Sequence, residues 1–326
     1  MKKALVFGVT GQDGSYLAEL LINKGYQVHG LVRKSATGNL RNIQHLIDDK
    51  EIHNKKFFSH KGDLLDLTSI YRVVSEVNPD EIYNEADQDH VRWSYDMVGY
   101  SSEITAAAVA KILEIVKQIN PNIRYFQPCT SNMFGITKEK TQNETTKFNP
   151  QSPYAIAKTF AYYVTRYYRQ AYGIHACVGI LFNHESPRRT PEYVTRKISQ
   201  SAARISLKKQ KKLFLGDLSA KIDWGFAPEY MECAWRMMQS DRADDYIIAS
   251  GKAHSVQDFV REAFAVVDLD YHDYIETDSS LVRPTKTSPL TGNISKAKKE
   301  LGWSPKTTFK ELVALMVNKD IEIESQ

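Results

Sequence analysis

The feature that most constrains the fold of this chain is a set of three regularly spaced glycines near its start. Gly8, Gly11 and Gly14 in "GVTGQDG" form the pattern G-x-x-G-x-x-G at the end of the apolar run "ALVFGV" (Ala4 to Val9). The helical pattern "GSYLAELLINKG" follows directly. Glycines between a first strand and a first helix let the backbone approach a pyrophosphate, which then binds at the helix N-terminus. The placement therefore predicts a dinucleotide-binding α/β fold.

Further short runs of β-branched and aliphatic residues follow, separated by helical patterns. They are "YQVHGLVR", "KKFFSHKGD", "DEIYNEA", "NIRYFQPCT" and "ACVGILFN", the last ending at Asn183. Strands that alternate with helices at intervals of about thirty residues are typical of βαβ units and of a parallel sheet covered on both faces. We therefore predict a doubly wound parallel (Rossmann) sheet.

The pattern changes after Asn183. The stretch "HESPRRTPEY" is rich in proline and charge, and the remainder is more helical. We predict a dinucleotide-binding domain over residues 1–182, with a return segment near 213–235. Residues 183–326 are predicted to form a smaller, mainly helical C-terminal substrate domain.

Composition excludes several classes of protein. The chain has 326 residues and a net charge of +4, too small an excess to indicate nucleic-acid binding. Its one dense basic run, "SLKKQKKLF" (206–214), is interpreted as a solvated helix end. Cys129, Cys177 and Cys233 are widely spaced and are expected to be reduced core residues. The basic start leads into an apolar run too short for a signal peptide, and no stretch is long enough to span a membrane. We expect a soluble cytoplasmic protein without a metal site.

Three residues that could assist a hydride transfer are expected at the carboxyl edge of the sheet. Thr130 ends the fifth run, and "YAIAK" places Tyr154 and Lys158 four residues apart on one helix face. A lysine ammonium beside a phenol favours the phenolate, so we expect the pKa of Tyr154 to be lowered. Ligands of doubly wound folds bind at this edge.

Together these motifs resemble the extended short-chain dehydrogenase/reductase family, and within it the GDP-mannose 4,6-dehydratase branch. The resemblance covers essentially the whole chain, and its most specific parts are "YNEADQDHV", "SPYAIAK", "GILFNHESPRR", "YVTRKI", "LFLGDLSAKIDWG" and "LGWSPKTTFKELV". It implies a GDP-linked sugar as substrate, which residues 183–326 would bind. It also implies a homotetramer in which the loop from Ser35 to Leu46 reaches a neighbouring subunit near its cofactor. A flexible surface loop is the alternative for that segment.

The resemblance also assigns site residues. The expected cofactor-binding residues are Gly8, Thr10, Gly11, Gln12, Asp13, Gly14, Arg33, Asp63, Leu64, Tyr154 and Lys158. The expected substrate-binding residues are Asn183, Glu185, Arg189, Val194, Lys197 and Arg283.

For two of the cofactor residues the sequence leaves two possible roles open. Asp63 could bind the adenine amine or could cap a helix. Arg33, at the end of the second run, favours the 2′-phosphate of NADP but could stack on adenine.

One departure from the family pattern bears on the reaction. In the family a glutamate stands two residues after the threonine and removes the C5 proton, whereas this chain has Asn132. A neutral amide does not accept a proton near neutral pH. The resemblance therefore implies oxidation of a C4 hydroxyl that stops at the 4-keto sugar.

This pattern looks most like a dehydrogenase offshoot that oxidises GDP-D-glycero-α-D-manno-heptose for surface (capsular) polysaccharide. Such an enzyme needs an oxidised cofactor pool, so we predict NAD, with NADP as the alternative. A rival interpretation is an intact 4,6-dehydratase with a relocated base. One strand face is expected to carry Glu85, Asp87 and Asp89, and Glu85 or Asp87 could be that base. A 4-keto reductase running the reverse step and a non-catalytic sensor are further alternatives.

Overall fold

In the computed structural model, which describes residues 1–36, 38–278, 281 and 288–326, a parallel sheet forms the centre of the molecule. The strands are β1 (Lys3–Phe7), β2 (Gln27–Val32), β3 (Phe57–Lys61), β4 (Glu81–Asn84), β5 (Arg124–Thr130), β6 (Ala176–Leu181), β7 (Asn183–Glu185), β8 (Leu213–Leu215), β9 (Lys221–Phe226), β10 (Asp245–Ile248), β11 (Ala253–Ser255) and β12 (Ile275–Thr277). Seven of them form the main sheet in the order β10-β6-β5-β4-β1-β2-β3.

Helices cover both faces of this sheet and form most of the C-terminal part. They are α1 (Gln12–Asn23), α2 (Gln44–Asp48), α3 (Leu67–Val77), α4 (Val91–Asp96), α5 (Val98–Ser102), α6 (Ala108–Ile119), α7 (Pro153–Tyr172), α8 (Val194–Ser206), α9 (Ala227–Gln239), α10 (Val256–Ala265), α11 (Ser295–Leu301) and α12 (Phe309–Glu324). A π-helical turn (Glu103–Ala107) and two 3₁₀ turns (Ser131–Met133 and Tyr271–Asp273) complete the described elements.

The main sheet is buried on both faces because side chains of each strand alternate between two cores. Along β1, Leu5 and Phe7 belong to the core beneath α3, α6 and α7. Ala4 and Val6 belong to the opposite core, which α1 and α9 complete. Burial on both faces is characteristic of parallel sheets covered by crossover helices. The predicted doubly wound α/β fold is confirmed.

All six predicted runs form strands of the main sheet, but its seventh strand was not predicted. β10 pairs in parallel with β6 and lies within residues 183–326. The predicted return segment near 213–235 includes the start of α9, where Tyr230 and Cys233 enter the core on the α1 side of the sheet. The division at residue 182 itself stays a prediction.

The C-terminal part has a third hydrophobic core. Ile198 of α8, Phe259 of α10 and Val313 of α12 are fully buried in it. A buried ion pair of 2.7 Å between Arg196 and Asp320 joins α8 to α12. Two small sheets, β11-β9-β7 and β12-β8, border this core. These elements place β7 and the start of α8 opposite the carboxyl edge of the main sheet.

Two sequence interpretations can be compared with these elements. The basic run 206–214 begins where α8 ends, as predicted. All three cysteines are buried and free. Within the described part of the chain, no helix has the length and apolar character needed to cross a membrane.

Candidate active site

A cavity of about 990 Å³ opens along the carboxyl edge of the main sheet. It collects the predicted residues Gly8, Thr10, Gly11, Gln12, Asp13, Arg33, Asp63, Leu64, Thr130, Asn132, Tyr154, Lys158, Asn183, Glu185, Arg189, Val194 and Lys197. Gly14 is not among the residues that line the cavity, and Arg283 lies outside the described residues. The structure thus brings together residues that the chain separates by almost two hundred positions.

The glycine turn forms one wall of the cavity. Gly8 has a φ of +75°, and a Cβ atom there would lie 2.4 Å from the carbonyl oxygen of Glu85. A Cβ atom on Gly14 would lie 2.3 Å from the carbonyl oxygen of Gly8. Gly11, the residue before α1, provides no side-chain cap for the first amides of the helix. These amides and the bare backbone fit a pyrophosphate group.

The far end of this wall is formed by Arg33, Asp63 and Leu64. The Asp63 carboxylate accepts a hydrogen bond from the backbone amide of Leu65 at 2.9 Å. It does not cap α3, because Asp66 accepts the capping bond from Thr68. Of the two roles considered for Asp63, helix capping is therefore wrong. Arg33 is exposed and donates a hydrogen bond to the Tyr100 hydroxyl at 3.1 Å.

The candidate catalytic residues meet at the centre of the cavity. Thr130 is the last residue of β5, and Tyr154 and Lys158 lie one turn apart near the start of α7. Ser152 caps α7 by accepting a hydrogen bond from Ala155 at 3.1 Å. The Lys158 ammonium lies 5.8 Å from the centre of the Tyr154 ring and donates to the Pro128 carbonyl at 2.8 Å.

The expectation that Lys158 lowers the pKa of Tyr154 is wrong. Burial raises the pKa of Tyr154 well above its ordinary value, and the charges of Asp87 and Asp89 raise it further, against a small opposing effect of Thr130. The ammonium of Lys158 forms an ion pair of 2.6 Å with Asp87, and both side chains are largely buried. Burial and these carboxylate charges therefore outweigh the lysine, and the phenol stays protonated near neutral pH.

Asn132 lies in the 3₁₀ turn that follows β5. Its side-chain amide donates a hydrogen bond to the Thr130 hydroxyl at 3.0 Å, and its backbone amide donates to the same oxygen at 3.2 Å. Asn132 is therefore a donor that orients Thr130. It has no capacity to accept a proton.

Glu85, Asp87 and Asp89 all line the cavity, but not on a strand face as predicted. β4 ends at Asn84, and a loop carries the three acids. Burial and the nearby Asp13 charge raise the pKa of Glu85 to about 8, so it is mostly protonated at neutral pH. A protonated Glu85 beside the glycine turn does not repel a pyrophosphate, so these residues also fit a dinucleotide.

The opposite wall holds the predicted substrate residues. Glu185 is buried, accepts a hydrogen bond from Thr195 at 2.7 Å and pairs with the Arg189 guanidinium at 3.3 Å. The same guanidinium lies 3.4 Å from the centre of the Tyr193 ring. Arg189 is therefore held in the cavity wall and is not part of a surface ion pair. Lys197 donates to the Phe214 carbonyl at 2.7 Å.

Sequence reasoning missed three residues of the site. His184 forms an ion pair of 2.8 Å with Asp13, and although burial opposes its protonation, Asp13 raises the pKa of His184. Tyr193 supports Arg189, and Asn42 donates to the Thr10 carbonyl at 3.0 Å. His184 stands within the motif "FNHES" between two predicted residues, which was an available signal. The predicted contact of the loop 35–46 with a neighbouring subunit stays a prediction.

A doubly wound sheet with a glycine turn after β1, a threonine ending β5 and a Tyr-x-x-x-Lys pair on α7 is the arrangement of a dinucleotide-dependent α/β enzyme with its site at the carboxyl edge of the sheet. The chain belongs to the GDP-mannose 4,6 dehydratase family, whose model matches residues 5–316. The predicted family is thus confirmed.

Individual relatives agree with this assignment. GDP-mannose 4,6 dehydratase 1 of Arabidopsis thaliana is 46% identical over 327 residues, covering 99% of this chain and 90% of the relative. The human GDP-mannose 4,6 dehydratase is 41% identical, covering 98% and 91% of the two chains. The structure is similar in fold to dTDP-glucose 4,6-dehydratase from Bacillus anthracis in complex with NAD, with a TM-score of 0.85, 22% identity and coverage of 100% and 98%.

Proposed function

We propose that this chain is a nicotinamide-dependent 4,6-dehydratase of a GDP-linked sugar, with GDP-mannose as its substrate. The observation that carries the proposal is the grouping of Thr130, Tyr154 and Lys158 beside the glycine turn in one cavity. The names of the relatives supply the substrate and the overall reaction. The alternative of an intact dehydratase is therefore preferred to an enzyme that only oxidises.

The residues of the chain have distinct parts in the first step. The phenolate of Tyr154 accepts the proton of the C4 hydroxyl, and the Thr130 hydroxyl hydrogen-bonds the C4 oxygen. Asn132 holds the Thr130 hydroxyl in place. Arg189 and Lys197 supply positive charge for the nucleotide phosphates on the opposite wall.

A bound nicotinamide dinucleotide supplies the acceptor for the C4 hydride and the donor that returns it. The amides at the start of α1 hold its pyrophosphate, and Asp63 and Arg33 lie where its adenosine end is expected. NAD is the proposed cofactor, which the B. anthracis enzyme binds. NADP is the alternative, supported by Arg33.

Asn132 supports a second candidate, a 4-dehydrogenase that stops at the 4-keto sugar. Losing a general base slows a reaction by roughly 10²- to 10⁴-fold, which favours oxidation without loss of water. A GDP-heptose substrate and a role in surface polysaccharide stay predictions within this candidate. The 4-keto reductase uses the same residues in the opposite direction. A sensor has no need of the buried Tyr154 and Lys158 pair.

The proposal is tested by incubating the protein with GDP-mannose and catalytic NAD and recording proton NMR spectra. We expect the methyl signal of a 6-deoxy-4-keto sugar. Tyr154→Phe is expected to lower its rate of appearance by at least about 100-fold, because the proton acceptor is lost. Tyr71→Phe, on the exposed face of α3, is the matched control and should react at the wild-type rate. Accumulation of a 4-keto sugar that retains its C6 hydroxyl would favour the second candidate.

We also propose that the protein is a homotetramer. An apolar face of α7 supports self-association, because Ile156, Phe160, Tyr163 and Tyr167 follow helical spacing and are each about half exposed. Monomeric proteins seldom expose a continuous apolar face of this kind.

A further inference from the structure

The proposed dehydration needs a base that Asn132 cannot supply. Once C4 is a ketone, the hydrogen on C5 is acidic, and water is lost when that proton and the C6 hydroxyl both leave. The inference below rests on the proposed function and asks which side chain of this cavity removes the proton. An ionised carboxylate close to Tyr154 and free of strong partners meets the chemical requirement.

Asp96 and Glu192 line the cavity but are not among the charges that most affect Tyr154. Most of the other carboxylates in the lining are already engaged. Their partners are His184 for Asp13, the Leu65 amide for Asp63, Lys158 and Thr105 for Asp87, Thr195 and Arg189 for Glu185, and the Ser250, Gly251 and Gly292 amides for Asp223. The oxygens of a carboxylate held in this way are already occupied by hydrogen bonds or ion pairs, so the carboxylate is not free to approach a C–H hydrogen of the sugar.

Neither acid considered from the sequence fits the part of the base. Asp87 is held by Lys158 at 2.6 Å, by Thr105, and by the Gln88 amide at 2.7 Å. Glu85 lies beside the glycine turn, and one of its carboxyl oxygens is closed off from solvent. Its pKa of about 8 keeps it protonated near neutral pH. The rival roles of Glu85 and Asp87 as relocated bases are therefore not supported.

Asp89 differs from both in its surroundings. Its side chain is 58% exposed and lines the cavity, the Arg189 guanidinium lies at a long 3.7 Å, and the Tyr193 hydroxyl also interacts with it. After Asp87, it is the carboxylate whose charge most raises the pKa of Tyr154. Asp89 therefore shares the cavity with Tyr154, close enough to affect its charge, and lies beside Arg189 of the substrate wall.

From this position we infer that Asp89 is the catalytic base of the dehydration, replacing the carboxylate that Asn132 does not provide. Its carboxylate takes the C5 proton, the C5–H electron pair forms the C5–C6 double bond, and the C6–O bond breaks. The leaving hydroxyl takes the proton from the Asp89 carboxyl and departs as water. The sugar thus loses one hydrogen and one hydroxyl, and Asp89 returns to its ionised form.

Exchange of the C5 hydrogen in D₂O tests this assignment. With saturating GDP-mannose and NAD, we expect the wild-type protein to form 6-deoxy product with deuterium at C5. Asp89→Asn is expected to lower both product formation and C5 exchange by at least about 100-fold. It should still oxidise C4 in a single turnover, seen as the absorbance of the reduced nicotinamide.

A second variant separates catalysis from folding. Asn132→Glu added to Asp89→Asn places a carboxylate beside Thr130 and is expected to restore product formation by at least about tenfold. Glu103→Gln, in an exposed pair with Lys111, is the matched loss of one carboxylate and should leave every readout unchanged. Calorimetric binding of GDP-mannose to each variant reports whether the cavity is intact.

The outcomes distinguish the two proposals. The assignment of Asp89 would be overturned if Asp89→Asn exchanged the C5 hydrogen at the wild-type rate. It would also be overturned if this variant bound GDP-mannose more weakly but exchanged C5 normally at saturation. In both cases the proposed dehydratase activity would stand. A wild-type protein that oxidises C4 but neither exchanges C5 nor loses water would overturn both the dehydration and the role of Asp89. Absence of any reduced nicotinamide in the wild type would overturn the proposed function itself.

Discussion

At the scale of single residues, the site is governed by three acids that follow β4. Each has a different charge state or partner: Glu85 is mostly protonated, Asp87 is paired with Lys158, and Asp89 remains accessible in the cavity. Burial of Tyr154, together with the charges of Asp87 and Asp89, raises the pKa of its phenol and keeps the proton in place near neutral pH. Ionisation of this phenol therefore limits the first step, which should be faster under alkaline conditions.

Asp87→Asn is expected to shift the pH profile of C4 oxidation to lower pH. The substitution removes a negative charge that raises the pKa of Tyr154 and releases the charge of Lys158 to act on the phenol. Single-turnover formation of the reduced nicotinamide across pH measures the rising limb of the profile. Thr105→Val removes a hydrogen bond to Asp87 without changing its charge and should leave the limb in place. A limb that stays fixed or moves to higher pH in Asp87→Asn would contradict this electrostatic account.

Glu85→Gln is expected to flatten the pH dependence of stability. The pKa of Glu85 is raised from 4.5 to about 8, so between these values the folded chain binds more protons than the unfolded chain. Stability therefore falls as pH rises, by up to about 1.4 kcal/mol per pH unit from this group. Urea unfolding of both proteins between these pH values measures the difference. The exposed Glu51→Gln is the control, and equal slopes for wild type and Glu85→Gln would show that Glu85 ionises normally.

At the scale of elements, the β1-turn-α1 unit and α7 could be predicted because their signals are local. The glycine spacing and the apolar periodicity can each be read from about fifteen consecutive residues. Over such a short range the conformational preferences of the backbone largely determine the structure. The short strand β10 has only four residues and no such pattern, so its place at the sheet edge depends on packing against β6. The loop after β4 was mistaken for strand because two-residue alternation of acids also occurs in irregular segments.

Gly14→Ala is expected to abolish dinucleotide binding at the glycine turn. The added Cβ would lie 2.3 Å from the Gly8 carbonyl oxygen, so α1 must shift away from the turn that it helps to form. We expect loss of NAD binding by calorimetry and a lower melting temperature. Gly99→Ala in α5 is the matched control, because no atom lies within 4 Å of its added Cβ and alanine favours helix. Normal NAD affinity in Gly14→Ala would contradict the role assigned to this turn.

At the scale of the whole molecule, the site depends on contacts that sequence periodicity does not encode. Tyr154 and Lys158 could be found from their spacing. The pairing of Lys158 with Asp87 joins residues more than seventy positions apart. Burial of Tyr154, with the charges of Asp87 and Asp89, raises the pKa that was expected to be lowered. The position of Asp89 beside Arg189 likewise depends on how the C-terminal part faces the sheet.

The proposed self-association can be tested on the α7 face. Replacing Ile156 and Phe160 together by glutamate puts two charges on an apolar face that is about half exposed in the single chain. Because burying unpaired charges is costly, we expect dissociation to smaller species in sedimentation velocity experiments. Tyr71→Glu on α3 introduces a charge at a similarly exposed position and should leave the assembly unchanged. An unaltered sedimentation coefficient in the α7 variant would place the interface elsewhere.

The central claim is that the chain oxidises C4 and then completes the loss of water despite Asn132. Mass spectrometry of the nucleotide sugar after incubation with GDP-mannose and less than one equivalent of NAD tests it most directly. We expect a product lighter than the substrate by one water, formed over many turnovers with no net change in the cofactor. A product lighter by two hydrogens, formed in proportion to the NAD consumed, would contradict the claim and identify Asn132 as the reason that the reaction stops.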